Sequence, residues 1–140
     1  MECMVISKKS SNHKCNLVSK GEKIKQVTKF KYLGYLITSD GRCTSEIRKR
    51  IAMAKDTFQK RKPILANRNI RMTTKIRIIK TYVWSVLLYG SECWTINNEI
   101  ERKLEAVEMR FIRRTMRISW TENKSNELVL KEANRPNRQG

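Results

Sequence analysis

The chain has 140 residues, with 31 Lys and Arg against 13 Asp and Glu, and a formal net charge of +18. This length suits one domain, or a small domain with an appendage. So large a positive excess attracts polyanions, and nucleic acid is the commonest intracellular polyanion. An anionic membrane surface is the alternative, which the absence of any segment resembling an interfacial anchor disfavours.

The apolar segments exclude further classes of protein. The longest apolar run, residues 86–89, is far shorter than the roughly 18 residues that span a bilayer. Residues 1–9 lack the basic n-region and the apolar core of a signal peptide. We therefore expect a nuclear or cytoplasmic protein that is not secreted, with no membrane partner and no small-molecule substrate. Met1 is either a true start or an internal methionine of a longer reading frame.

The four cysteines are Cys3, Cys15, Cys43 and Cys93, and no two of them form a C-x-x-C pair. In an intracellular chain we expect these thiols to be reduced and not to form a disulfide framework. Cys3, His13 and Cys15 have a spacing that fits no standard zinc site. The sequence thus predicts no metal or other cofactor in this chain.

The first forty residues have the pattern of β-structure. Residues 2–7 read as a strand, and residues 14–18 and 23–27 as two weaker strands around a turn at 19–22. Residues 30–38 are aromatic and β-branched and end at a Ser-Asp-Gly turn signal. Gly34 stands in the middle of that predicted strand, where a glycine usually marks a bulge or the close approach of another backbone.

The pattern becomes helical after Gly41. Thr44 or Ser45 can cap a first helix, and Pro63 ends or kinks it. Its predicted inner face has apolar residues at spacings of four, three and four: Ile47, Ile51, Ala54 and Phe58.

Three more helices follow in the predicted order. The second runs from about residue 74 to 89, with Thr73 as its cap and Gly90 as its stop. The third begins after residues 97–98 and reaches about Ile118. Ser125 can cap a last helix over residues 126–133, and residues 134–140 read as a disordered tail.

Basic residues cover the outer face of the first predicted helix. Only Glu46 and Asp56 offset them, so we expect contacts to a nucleic-acid backbone there. The candidates on this helix are Arg48, Lys49, Lys55, Lys60, Arg61 and Lys62. Further candidates at the link and the next helix are Arg68, Arg71 and Lys75. Three arginines of the third helix, Arg113, Arg114 and Arg117, are weaker candidates because cations near a helix C-terminus are favoured by the helix dipole.

Several blocks of this chain resemble the reverse transcriptases of LINE-type (non-LTR) retrotransposons, in the family's order. "FKYLGYLITSDG" at 30–41 resembles the hairpin that follows the catalytic aspartates, and "SVLLYGSECW" at 85–94 resembles a segment of the thumb. Residues 2–8 look like the strand just after the catalytic turn. Three flanking blocks agree: "EIRKRIAMAK" at 46–55, "NIRMTTKIRI" at 69–78 and "ISWTENKSNELVL" at 118–130.

The resemblance implies an α+β fold. Residues 1–41 would be an antiparallel remnant of the palm, residues 42–133 a thumb-like bundle of three to four helices, and residues 134–140 the tail. Lys31, Tyr32 and Gly34 match the family's hairpin, and by resemblance they would touch the primer backbone. The alternative for the aromatic residues of this hairpin is a place in the core between palm and thumb. Trp84, Trp94 and Trp120 could stack on bases, but we expect them to lie in the core.

The family's catalytic turn, Tyr/Phe-x-Asp-Asp, is absent from this chain. Polymerase chemistry needs carboxylates that hold two metal ions, whereas the chain has two separated aspartates, Asp40 and Asp56. We therefore expect a fragment without activity of its own, with Mg²⁺ needed only in the complete enzyme. Its partners would be the RNA template–DNA primer duplex and the missing palm and fingers.

Two other interpretations stay open. The chain could be a stand-alone basic helical module that binds DNA or RNA. In that case residues 44–90 would imitate a helix-turn-helix, although the link at 63–73 exceeds that motif's usual three or four residues. It could also be a non-functional relic of a retroelement.

Overall fold

The structure is a computed structural model that describes residues 1–7 and 14–134. Within those ranges, six short strands come before five α-helices, which confirms the predicted α+β class. The predicted tail lies outside the described residues, apart from Asn134, which ends the last helix.

The strands are short and form three separate pairs. Their bounds are β1 Glu2–Cys3, β2 Val18–Ser19, β3 Glu22–Lys23, β4 Lys25–Gln26, β5 Lys29–Tyr32 and β6 Tyr35–Thr38. The β2–β3 pair is an antiparallel hairpin, as the local pattern predicts. The β5–β6 pair is also an antiparallel hairpin, which only the family resemblance implies. The β1–β4 pair is parallel, with Glu2 opposite Lys25, which corrects the expectation of a wholly antiparallel segment. The long connection between β1 and β4 allows this pairing, because parallel strands need a crossover of about a dozen residues or more.

The prediction of one continuous strand over residues 30–38 is wrong. Leu33 and Gly34 form a two-residue turn between β5 and β6, with φ of 47° and 80°. Positive φ at both central positions defines a type I′ turn, whose twist matches that of the flanking strands. Lys20 and Gly21 form the same kind of turn between β2 and β3, where the sequence predicts one.

The helices are α1 Thr44–Leu65, α2 Met72–Ile78, α3 Ser85–Leu87, α4 Asn98–Met116 and α5 Asn126–Asn134. A π-helical segment, Ile79–Trp84, joins α2 to α3 where the sequence predicts uninterrupted α-helix. Pro63 does not end α1, because the helix continues to Leu65. Leu65 is buried in the main helical core, and this packing holds the last turn in place.

Local capping signals locate two of the helices. The Asn97 side chain accepts a hydrogen bond from the Ile100 amide at 2.9 Å at the start of α4, as expected. The Ser125 hydroxyl accepts one from the Leu128 amide at 3.3 Å at the start of α5. The predicted Thr73 cap is wrong, because α2 begins at Met72 after an Arg71 that makes no capping side-chain bond.

Contacts divide the chain into two compact units. The β unit comprises Met1–Lys49 and Gly90–Thr95, and the helical unit comprises Arg50–Tyr89 and Ile96–Gly140. The division falls inside α1 and places the segment after Gly90 with the strands, a grouping that the sequence does not anticipate.

The core of the helical unit joins α1 and α4 to the helices between them. Phe58 and Phe111 stack at its centre, with ring centroids 4.7 Å apart and planes inclined by 19°. The other buried members are Ala54, Leu65, Ile79, Val83 and Leu87. A second cluster, made of Met109, Ile112, Val129 and Ala133, packs α4 against α5. The predicted inner face of α1 is therefore confirmed at Ala54 and Phe58.

The β unit has a smaller core that includes a carboxylate. Ile47 and Trp94 are buried, and so is Glu46, which accepts a hydrogen bond from the Leu36 amide at 2.8 Å. This bond ties β6 to the first turn of α1. The Tyr35 hydroxyl donates to the Cys43 sulfur at 3.4 Å, and burial together with this bond raises the pKa of Tyr35.

Candidate nucleic-acid interface

The hairpin candidates are on the surface of the β unit. Lys31 and Tyr32 are exposed on β5, with 59% of Tyr32 accessible, and Gly34 is exposed in the turn. The Lys49 ammonium donates a hydrogen bond to the Gly34 carbonyl at 3.3 Å. Lys49 is therefore half-buried and holds the turn to the start of α1, while Arg48 beside it is exposed.

The candidates in the helical unit divide by exposure. Between residues 50 and 89 stand ten basic side chains and one acidic side chain, Asp56. Seven of the ten are exposed: Lys55, Lys60, Lys62, Arg68, Arg71, Arg77 and Lys80. Lys60 pairs with Asp56 at 2.8 Å, but both side chains remain mostly exposed. Such a surface pair contributes little stability and does not neutralise the surface around it.

Arg61 and Lys75 have environments that differ from the prediction. The Arg61 guanidinium lies 4.2 Å from the centre of the Tyr82 ring, so it is half-buried in a cation–π contact. Lys75 is only 8% exposed, and burial, followed by the charge of Arg117, lowers its pKa. The interpretation of Lys75 as a phosphate contact does not fit this burial, because its side chain packs inside the unit.

Two hollows of the helical unit are lined by basic side chains. One hollow of about 510 Å³ has an apolar floor that includes Phe58 and Leu65, and its rim includes Lys62, Arg114 and Arg117. A second hollow of about 340 Å³ is lined by Arg110, Arg113, Arg114 and Ile118. Arg114 lines both hollows, and the two hollows together are named here the arginine groove.

Two contacts set the geometry of the arginine groove. Phe58 of α1 stacks on Phe111 of α4, and the Arg117 guanidinium donates a short hydrogen bond to the Ala66 carbonyl just after α1. These two contacts bring the second half of α1 next to the last part of α4. Arg113 is buried, and it donates to the Lys124 carbonyl at 2.7 Å and to the Asn126 side chain at 2.9 Å. Arg113 thus joins α4 to α5 and is not an accessible cation.

The sequence alone does not single out the arginines of this groove as binding residues. Arg113, Arg114 and Arg117 are weaker candidates because the helix dipole favours cations there, and Arg110 is not among the candidates. The signal that marks the groove is the i, i+4 spacing of Arg110 and Arg114, which places these two exposed arginines on one face of α4.

The tryptophans that the structure describes are packing residues. Trp94 is 8% exposed, and Trp84 is half-buried against the main helical core, which confirms the prediction for these two. The side chain of Trp120 lies outside the described part of the structure. His13, one of the three possible zinc ligands, also lies outside the described residues. Among residues 1–7 and 14–134 no group of three or more metal-ligating side chains comes together.

Comparison of this chain with protein-family models, with curated proteins and with solved structures gives no match. Among the described residues, no helix combines the length and the apolar character that crossing a lipid bilayer requires.

Proposed function

We propose that this chain binds nucleic acid through the sugar–phosphate backbone, as the palm-end and thumb part of a LINE-type reverse transcriptase. The observation that carries the proposal is the stretch from residue 50 to 89, where seven exposed cations accompany a single carboxylate. Phosphate contacts of this kind position a duplex without reading its sequence. The ancestry rests on the ordered blocks of resemblance, and the binding rests on the charge.

No step of polymerase chemistry is assigned to this chain. Asp40 accepts hydrogen bonds from the Thr38 hydroxyl and the Arg42 amide, and these bonds lower the pKa of its carboxyl group. The Asp56 carboxylate pairs with Lys60 on an exposed face of α1. Both aspartates therefore have structural partners, and neither is assigned to a catalytic metal site.

The test is the salt dependence of binding to an RNA–DNA hybrid, measured by fluorescence anisotropy. Each phosphate contact contributes about 0.9 to the slope of log K against log salt on a B-type duplex. The variant K55Q/K60Q/R68Q/R71Q removes four exposed cations, and we expect its slope to fall by about 3.6. Arg102→Gln with Lys131→Gln removes exposed charge elsewhere in the helical unit and should leave the slope nearly unchanged. Wild-type affinity that does not vary with salt would exclude the proposal.

The stand-alone module makes a different prediction in the same assay. A sequence-specific DNA binder would retain one preferred duplex at high salt, because base contacts are less sensitive to salt than phosphate contacts. The connection between α1 and α2 covers residues 66–71, still longer than the usual turn of a helix-turn-helix. We therefore favour backbone binding without sequence preference.

A further inference from the structure

The arginine groove differs in shape from the exposed basic surface of residues 50–89. It is concave, with an apolar floor between two packed helices and cations along its rim. A volume of about 510 Å³ falls within the range of small-ligand pockets, about 300–1,000 Å³. A double helix cannot enter a concavity of this size, whereas a single nucleotide can.

The charges of the groove match the repeat of one nucleic-acid strand. Arg110 and Arg114 are exposed and lie about one turn apart on α4, and the exposed Arg117 follows the end of the helix. A rise of about 1.5 Å per residue separates Arg110 from Arg114 by roughly 6 Å along the helix axis. One strand of a stacked helix carries a phosphate about every 3.4 Å, so about two phosphates fall within that length. No Asp or Glu is among the described residues that line either hollow.

The helix dipole explains part of this charge, but not all of it. The end of α4 carries a partial negative charge that favours cations, and the effect is confined to about the last turn. Arg114 and Arg117 lie in or just after that turn, and Arg117 also satisfies the Ala66 carbonyl. Arg110 stands almost two turns before the end of α4 at Met116, so the dipole does not account for it.

We propose that the arginine groove binds single-stranded nucleic acid. Arg110 and Arg114 bind consecutive phosphates, and one base lies against the apolar floor near Phe58 and Leu65. A cationic groove with apolar or aromatic contacts to bases is the general design of sites for single strands. This inference rests on the proposed function, and it assigns the arginine groove to an unpaired strand of nucleic acid.

The test compares the variant R110Q/R114Q with the matched control R102Q/K131Q, which removes the same charge at exposed sites away from the groove. The probes are a dT oligonucleotide, a U oligonucleotide and a blunt DNA duplex of equal length. We expect the groove variant to lose about tenfold or more in affinity for both single strands, and about 1.4 in salt slope. Its affinity for the duplex should stay equal to that of the control.

Two results would overturn the inference and leave the proposed function intact. One is an equal loss of single-strand and duplex affinity in R110Q/R114Q, which would make the groove part of a general basic surface. The other is no loss beyond the control while K55Q/K60Q/R68Q/R71Q loses duplex binding. Wild-type protein that binds none of the three probes would refute both proposals.

A second measurement on the unaltered protein does not depend on how the variants fold. Phenylglyoxal modifies accessible arginines, and mass spectrometry locates the modified residues. We expect the dT oligonucleotide to protect Arg110 and Arg114 at least about fivefold more than Arg102, which lies on α4 outside the groove. Equal protection of all three arginines would contradict the site.

Discussion

The ring of Tyr35 lies against Gly90 so closely that a Cβ atom on Gly90 would stand 2.9 Å from Tyr35 Cδ2. Gly90 also has a φ of 72°, in the left-handed region that favours glycine. Both residues belong to the β unit. Tyr35 is the first residue of β6, and Gly90 comes shortly after α3. Two separate physical reasons therefore require glycine at this position.

Gly90→Ala should destabilise the protein by about 2–5 kcal/mol, since it adds overpacking to an unfavourable φ. Gly21→Ala is the matched control, because Gly21 has a φ of 80° but no atom within 4 Å of the added methyl group. We expect that control to cost only about 1 kcal/mol. Chemical denaturation measures both, and equal losses would show that the Tyr35 ring moves aside without cost.

Leu33→Asn should stabilise the β5–β6 hairpin by about 1 kcal/mol. Leu33 has a φ of 47° at the first central position of a type I′ turn, where Asn is strongly preferred and a branched apolar side chain is not. Leu33 is also 76% exposed, so the substitution sacrifices little packing. Thermal unfolding would detect the change as a higher Tm. A lower Tm would mean that Leu33 contributes contacts that outweigh its backbone strain.

Lys75→Met should raise stability at neutral pH, because it replaces a buried ammonium with an apolar side chain of similar length. The folded-state pKa of Lys75 lies below its ordinary value of 10.5. Between the folded-state and unfolded-state pKa values of Lys75, the unfolded chain binds more protons than the folded chain. The free energy of unfolding of the wild type therefore rises with pH in this window. The advantage of the variant should shrink as the pH approaches 10.5. Denaturant titrations at several pH values test this, and a constant advantage would exclude the titration of Lys75 as the cause.

Glu108→Gln should also stabilise the protein near neutral pH. Burial, followed by the charge of Glu105, raises the pKa of Glu108 above its ordinary value of 4.5, while Lys80 opposes the shift. The folded state then binds more protons just above pH 4.5, so wild-type stability falls as the pH rises through that window. The variant should lack this fall and should match the wild type below the window. Glu105→Gln is the companion variant, and we expect a smaller gain from it because it removes only the repulsion.

Short-range signals predict those parts of the fold that depend on a few neighbouring residues. Ser125 caps α5 as the sequence predicts, and Asn97 caps α4 beside the predicted start of that helix. Such caps are local, because each needs only its own side chain and an amide three residues on. The turn at Lys20 and Gly21 is local in the same way. The strand pattern of residues 30–38 does not predict the turn at Leu33 and Gly34, because a Leu at positive φ carries no local signal.

At the candidate site, the local sequence does not show which basic side chains are accessible. The charge of residues 50–89 is visible in the sequence, but nothing local distinguishes Lys75, which is buried, from Arg71, which is exposed. The groove formed by Lys62 and Arg114 needs α1 and α4 to pack side by side, and that packing depends on the stack of Phe58 on Phe111.

The sequence by itself determined the α+β class, the positions of the capped helices and the excess of positive charge, since each of these depends on composition or on contacts within one turn. The tertiary structure alone decided which cations are accessible, where the π-helical segment interrupts the second predicted helix, and how α1 and α4 enclose the arginine groove. Those features depend on burial between segments distant in the chain, and burial is a property of packed surfaces that no local pattern specifies.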